Sequence, residues 1–63
     1  MKKHIWEITY RYQDSIRGLT VYETGDNLRQ VERKAKKYIA FHNSVTQYII
    51  ELESIELIKK EGE

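Results

Sequence analysis

The stretch HIWEITYRY, residues 4–12, decides the fold because its apolar and polar side chains alternate. One set is aromatic or aliphatic: Trp6, Ile8, Tyr10 and Tyr12. The other set is polar: Glu7, Thr9 and Arg11. A period of two residues is typical of a β-strand with one buried face. We therefore predict a first strand over residues 4–12.

A second strand is predicted over residues 18–24, GLTVYET, where Thr, Val and Tyr favour extended backbone. The short connection before it contains Asp14 and Ser15, whose side chains bond their own backbone in turns. Gly18 is predicted to mark a bulge that closes this connection. The two strands should form an antiparallel hairpin.

The period changes to about 3.6 over residues 27–42, which predicts an amphipathic helix. Asp26 is the predicted N-cap, since its carboxylate can accept from the unpaired backbone N–H groups of the first turn. Asn43 is predicted to end the helix. The predicted buried stripe is Leu28, Val31, Ala35, Tyr38, Ile39 and His42.

Residues 45–58 are predicted as a third strand with a bulge near residues 53–54. The apolar residues fall in two groups of opposite parity: Tyr48, Ile50 and Leu52, then Ile55 and Leu57. One extra residue between the groups would return all these side chains to one face. The apolar spacing after residue 52 also suits a helix, so a helical tail remains the alternative.

These elements predict one α+β domain of type ββαβ, with a three-stranded antiparallel sheet in the order 2-1-3. The helix returns the chain, and a right-handed crossover places the third strand beside the first. Residues 4–12 are then the central strand, with the helix on one face of the sheet. Residues 1–63 show no Pro-rich, Ser-rich or repeated segment that would indicate a second domain.

The small size of the chain favours self-association. A domain of 63 residues buries only about 60% of the surface that its unfolded chain exposes. The sequence contains no Cys, so neither a disulfide nor a thiolate zinc site can supplement the core. We therefore expect the chain to bind copies of itself, as a homodimer or a higher assembly. The sequence lacks a signal-like or membrane-spanning apolar run, which favours a cytoplasmic chain without a membrane partner.

The outer face of the predicted helix is basic: Arg29, Arg33, Lys36 and Lys37. Such side chains could contact nucleic-acid phosphates or an acidic protein partner. A charged outer face is also what keeps an amphipathic helix soluble. The whole chain has 11 basic and 10 acidic side chains, and this balance favours the solvated face over a nucleic-acid site.

A protein contact is predicted at the open sheet face and at the sheet edge: Ile5, Tyr22, Ile49, Ile55 and Leu57. Ile5 and Ile49 are expected to be neighbours on the open face. Tyr22 is the only aromatic residue predicted there, so base stacking is disfavoured. Ile55 and Leu57 would be buried against a second chain if two copies paired through the third strand.

No catalytic, cofactor-binding or metal-binding residue is predicted. His4 and His42 are far apart in sequence, and the chain has no HExxH, GxSxG or Gly-rich phosphate motif. The sequence therefore favours a non-catalytic interaction module that associates with itself and with a protein partner. The alternative is a nucleic-acid-binding accessory protein that uses the basic outer face of the helix.

The segment WEITYRYQDSIRG, residues 6–18, followed by a basic helix, resembles the arm-type DNA-binding domains at the N-termini of tyrosine recombinases. The resemblance covers about two thirds of the chain and lies in its strand, turn, strand and helix pattern. In that family the sheet reads DNA, which would imply roles for Arg11 and Arg17. The family has three strands before its helix, whereas this sequence has two. The chain is also similar in general character to small accessory proteins of phages and mobile elements.

Overall fold

The computed structural model describes residues 4–60 and contains three strands and one helix. The elements are β1 (His4–Tyr12), β2 (Gly18–Gly25), α1 (Leu28–Val45) and β3 (Ile50–Lys59). The strands form one antiparallel sheet in the order β2-β1-β3. The predicted ββαβ fold, with the first strand in the centre, is therefore confirmed.

The β1–β2 hairpin is regular from the His4–Gly25 pair to the Arg11–Gly18 pair. The bulge predicted at Gly18 is therefore wrong. Gly18 is needed for a different reason, since a Cβ atom there would lie 2.9 Å from the carbonyl oxygen of Tyr10. The close approach of the two backbones, rather than an extra residue, selects glycine at this position.

β3 contains the bulge that its change of parity predicted. Thr9 lies opposite Ser54 and Tyr10 lies opposite Leu52, so Glu53 is the extra residue. The bulge places four side chains of β3 opposite the core-facing residues of β1: Ile50, Leu52, Ile55 and Leu57. A second register shift, which we did not predict, leaves Ile58 as another extra residue. The alternative of a helical tail is wrong, because residues 50–59 pair with β1.

α1 begins and ends later than predicted. Asn27, rather than Asp26, is the N-cap, and its Oδ1 accepts from the backbone N–H of Gln30 at 3.0 Å. Gln30 Oε1 accepts in return from the backbone N–H of Asp26 at 2.8 Å. This reciprocal pair resembles a capping box and fixes the first turn. The helix then continues through Asn43 to Val45.

β3 begins at Ile50 rather than at residue 45, because residues 46–49 carry the chain from the helix to the sheet. Tyr48, which we expected to face the core, lies in this connection and is 64% exposed. Asn43 fixes the connection with two hydrogen bonds. Its Nδ2 donates to the carbonyl of Ile50 at 3.2 Å, and its Oδ1 accepts from the N–H of Ile50 at 3.0 Å.

The core lies between α1 and the adjacent face of the sheet: Trp6, Ile8, Tyr10, Val31, Ala35 and Ile50. At one end of the core, Trp6 Nε1 donates to the carbonyl of Gly25 at 3.0 Å. A Cβ atom on Gly25 would lie 2.6 Å from Val31 Cγ2, so glycine lets the helix approach this end of β2. Leu28 does not complete the predicted buried stripe, because it is the first residue of α1 and remains 48% exposed. Within residues 4–60, no helix is both long enough and apolar enough to cross a membrane.

Candidate interaction surfaces

The outer edge of β3 presents incompletely buried apolar side chains. Within residues 4–60, β3 pairs with β1 on one side and has no strand on its other side. Leu52 and Leu57 face the side covered by the helix, yet they remain 38% and 39% exposed, and Ile58 is 51% exposed. Ile55 is half-buried. We call Leu52, Ile55, Leu57 and Ile58 the β3 border.

The width of one helix explains why the β3 border is uncovered. A helix is about 10 Å wide, whereas strands lie about 4.8 Å apart, so one helix covers roughly two of three strands. Lys34 holds the middle of α1 toward β2. Its Nζ donates to the carbonyl of Thr24 at 2.6 Å and lies 3.9 Å from the carboxylate of Glu23. The last turns of α1 bond Ile50, which is buried, so the exposed side chains of β3 are those that lie beyond Ile50 along the strand.

The two edges of the sheet differ. On β2, the Thr24 carbonyl already accepts from Lys34, and this occupies a backbone acceptor that an incoming strand would need. On β3, the side chain of Asn43 bonds the backbone N–H and carbonyl of the first residue, Ile50. The strand continues for nine residues beyond it. The two extra residues, Glu53 and Ile58, bound a regular segment over residues 54–57. This segment is the most accessible place for another strand.

The open face of the sheet is polar, with Tyr22 as an exposed aromatic residue. Tyr22 lies opposite Glu7, and its hydroxyl donates to Glu7 Oε2 at 3.2 Å. This hydrogen bond, followed by the charge of Glu7, raises the pKa of Tyr22. Arg11 and Glu51, also on this face, form an exposed ion pair of 2.9 Å.

The five predicted protein-contact residues do not form one surface. Ile5 and Tyr22 lie on the open face, whereas Ile55 and Leu57 lie on the opposite face at the β3 edge. Ile49 precedes β3, where its carbonyl accepts from the N–H of Gln13, just beyond β1. Ile5 and Ile49 are thus at opposite ends of the central strand, and the prediction that they are neighbours is wrong.

The basic outer face of α1 is present as predicted. We call it the basic face: Arg29, Arg33, Lys36 and Lys37. All four side chains are exposed, and their spacing of three and four residues makes them neighbours on the helix surface. The ion pairs observed within residues 4–60 involve Arg11 and Lys34 rather than these four. Glu32 lies beside Arg29 and Lys36 on the same helix, but within residues 4–60 none of the four cations forms an observed ion pair.

A shallow cleft of about 530 Å³ lies where the hairpin loop meets the α1–β3 connection. Its lining residues are Tyr12, Asp14, Ser15, Arg17, Tyr48 and Ile49. No sequence pattern indicates this cleft, because it is formed by two loops that are distant in the chain. Of the two arginines implied by the resemblance, Arg17 lies in the cleft and Arg11 lies on the open face.

His42 packs near the C-terminal end of α1 between two aromatic rings. Its ring centroid lies 6.3 Å from that of Tyr12 and 6.1 Å from that of Tyr38. The predicted packing role of His42 is confirmed. In the part of the chain that the structure describes, no cluster of three or more His, Asp or Glu side chains has an arrangement that could hold a metal ion.

Comparison of the chain with protein-family models, with curated proteins and with solved structures finds no match.

Proposed function

We propose that this protein is a non-catalytic, cytoplasmic interaction module that self-associates through the β3 border. The observation that supports the proposal is the combination of an accessible strand edge with exposed apolar side chains along it. Leu52, Leu57 and Ile58 are each between 38% and 51% exposed beside the accessible segment of β3. A second copy could bury these side chains and pair the backbone in a single interface.

Burial of the exposed parts of the β3 border would favour association. Full burial of a Leu or Ile side chain contributes about 1.5–3 kcal/mol, so burial of the exposed fractions would contribute roughly 1 kcal/mol per side chain. Three such residues in each of two chains would offset part of the roughly 4–15 kcal/mol that association costs. Backbone pairing along the edge would add to this gain.

The module would also bind a protein partner on the open face, which self-association through the β3 border leaves accessible. Tyr22 is 61% exposed there, beside polar and charged neighbours. Tyrosine is common at interfaces because its ring is apolar and its hydroxyl forms hydrogen bonds. The polar surroundings favour a partner that contacts this face through hydrogen bonds as well as through the ring.

Analytical ultracentrifugation over a wide concentration range tests self-association. The wild-type chain should change from monomer to dimer as its concentration rises, whereas Leu57→Glu should remain monomeric because it places a charge in the interface. Ile16→Glu is the matched control, since Ile16 is 99% exposed in the hairpin loop, outside the β3 border. It should dimerise like the wild type. A wild-type chain that stays monomeric at the highest soluble concentration would contradict the proposal.

A second candidate function is the binding of nucleic acid by the basic face, as in an accessory protein of a phage or mobile element. The supporting observation is the group of four exposed cations without observed acidic partners within residues 4–60. Like charges spaced four residues apart destabilise a helix by about 0.2–0.5 kcal/mol per pair, and a bound polyanion would remove that cost.

A mobility-shift assay with duplex DNA and with RNA at increasing salt tests this second function. Arg33→Gln should weaken binding and reduce the slope of log affinity against log salt by about 1. Arg17→Gln changes the net charge equally, but Arg17 lies in the hairpin loop, so its salt slope should match that of the wild type. Absence of binding at low salt would exclude the nucleic-acid function.

A further inference from the structure

We propose that two copies pair through β3 in an antiparallel arrangement whose two-fold axis passes through the Ile55 pair, which joins both sheets into one sheet of six strands. This inference rests on the proposed self-association and specifies its register. The occupant of the β3 edge is thus a second copy of the same chain, held in a defined alignment.

The faces of the strand select the position of the axis. In a two-fold antiparallel pair, the residue on the axis lies opposite itself, and paired residues point to the same side of the sheet. An axis at Glu56 would place two carboxylates opposite each other. An axis at Ser54 would place Leu52, on the core side, opposite Glu56, on the open side. An axis at Ile55 avoids both conflicts.

The two extra residues of β3 support the same axis. Counted outward from Ile55, one extra residue occurs in each direction, Glu53 on one side and Ile58 on the other. Glu51 and Lys59 are therefore each four residues from Ile55, and both pair with open-face residues of β1. Because each half of the strand contains one extra residue, Glu51 and Lys59 lie at equal distances from Ile55 and on the same face of the sheet. An axis at Ile55 consequently places Glu51 of one copy opposite Lys59 of the other, twice in each dimer.

The charges along β3 agree with this register. Opposite charges on facing strands stabilise a sheet, whereas like charges destabilise it. With the axis at Ile55, Glu56 lies opposite Ser54 and Glu53 lies opposite Leu57, so no two carboxylates are opposite each other. A parallel pairing in register would instead stack each glutamate on its own copy. The distribution of acidic and basic residues along β3 therefore favours the antiparallel dimer.

The same axis brings the β3 borders of the two copies together. Ile55 meets its own copy, with the other apolar residues of the border on either side. Because the axis is perpendicular to the sheet, both helices lie on one side, and their central strands are about 14 Å apart at the usual strand spacing. The two basic faces then point in the same direction. The edges that remain are those of β2, where Lys34 occupies the Thr24 carbonyl, so the assembly is expected to stop at two copies.

Charge reversal with mixed chains tests the register. Glu51→Lys alone and Lys59→Glu alone each create two like-charge contacts per dimer, so each should weaken self-association about tenfold. An equimolar mixture of the two variants forms heterodimers in which both contacts are again oppositely charged. The mixture should therefore form heterodimers well above the statistical proportion, measured by native mass spectrometry. Glu56→Lys mixed with Lys59→Glu is the control and should show no such preference.

The outcomes separate the two proposals. A wild-type dimer whose charge-reversed variants mix only statistically would overturn the Ile55 register and leave self-association standing. A wild-type chain that is monomeric at every concentration would overturn both. Since Glu51 also pairs with Arg11 at 2.9 Å, circular dichroism must show that Glu51→Lys is folded.

A cysteine variant tests the axis independently of these charges. The natural chain has no Cys, so Ile55→Cys introduces a single thiol on the axis. Facing residues in such a pair have Cβ atoms about 4.5–5.5 Å apart, near the distance that a disulfide spans. In a glutathione redox buffer, Ile55→Cys should form a covalent dimer more completely than Leu57→Cys, whose thiol would face Glu53 of the other copy. Equal or greater cross-linking of Leu57→Cys would overturn the register.

Discussion

Replacement of Asn43 by alanine should destabilise the fold more than a substitution near the end of a helix usually does. The side chain of Asn43 makes two hydrogen bonds to the backbone of Ile50, with donor–acceptor distances of 3.2 and 3.0 Å. Both bonds are partly buried, and they connect the last turns of α1 to the first residue of β3. Asn43→Ala would remove both, and alanine offers no group that could replace them.

The expected loss in free energy of unfolding is about 1–3 kcal/mol, since a hydrogen bond of this kind contributes about 0.5–1.5 kcal/mol. At 0.05–0.15 kcal/mol per residue, a domain of this size has a total stability of roughly 3–9 kcal/mol. The substitution would therefore remove about a third of it. For a domain of this length, each kcal/mol lowers Tm by about 4–8 °C.

Urea unfolding followed by circular dichroism measures this loss. The comparison should use the Leu57→Glu background, so that dissociation of a dimer does not contribute to the measured stability. Ser44→Ala is the control, because Ser44 Oγ donates only to the carbonyl of Phe41 within the same helix, at 2.7 Å. Its stability should stay within about 0.5 kcal/mol of the parent chain.

Asn43→Asp distinguishes the contributions of the two hydrogen bonds between residue 43 and the backbone of Ile50. A carboxylate can still accept from the N–H of Ile50, but it cannot donate to the Ile50 carbonyl, and it places negative charge at a helix C-terminus. We expect it to be about as destabilising as alanine. If Asn43→Ala proved no more destabilising than Ser44→Ala, the inferred role of Asn43 in joining α1 to β3 would be refuted.

Two further predictions concern the core. Burial, followed by the nearby Tyr38 and Glu23, raises the pKa of Tyr10 from 10.0 to about 12. In the unfolded chain the pKa of Tyr10 returns to its ordinary value, so the neutral side chain stabilises the folded state. This stabilisation is fully present below pH 10 and is lost as the pH rises toward 12, when the free energy of unfolding falls by roughly 1 kcal/mol per pH unit. Between pH 10 and pH 12 the urea midpoint should fall in the wild type and should fall less in Tyr10→Phe. Equal decreases in the two proteins would contradict the raised pKa of Tyr10. Gly25→Ala should lower the free energy of unfolding by about 1–3 kcal/mol, since its Cβ atom would lie 2.6 Å from Val31 Cγ2. An unchanged thermal midpoint would show that the helix can move away without loss of stability.

The features that the sequence predicted correctly depend on side-chain periodicity. The alternation along residues 4–12 and the 3.6-residue period of the helix each require one apolar face, and packing of the helix on the sheet buries both. The change of parity in β3 could be interpreted from sequence because a single extra residue, Glu53, restores a continuous face. Hydrophobic burial acts on many residues together, so such patterns tolerate errors at single positions.

The features that were predicted wrongly depend on local hydrogen bonds or on the lateral position of the helix. Asp26 and Asn27 can both cap a helix, and only the path of the backbone decides between them. Asn43 is typical of a helix C-terminus, but here its side chain bonds a strand seven residues later. The exposure of Leu52 and Leu57 follows from where α1 lies across the sheet, and side-chain periodicity does not contain this information.

The bulge at Glu53 has an evolutionary consequence. Deletion of this one residue would leave the other side chains of β3 on the faces that they now occupy, because the strand would become regular from Ile50 to Leu57. The shortened chain should therefore still fold. However, the distance from Ile55 to Glu51 would shrink by one position while the distance to Lys59 stayed the same. Under the proposed register, a gene duplicate with this deletion would fold like its parent, but it would lose one Glu51–Lys59 contact when paired with the parent and both when paired with itself, so the loss of a single codon could weaken assembly without a change of fold.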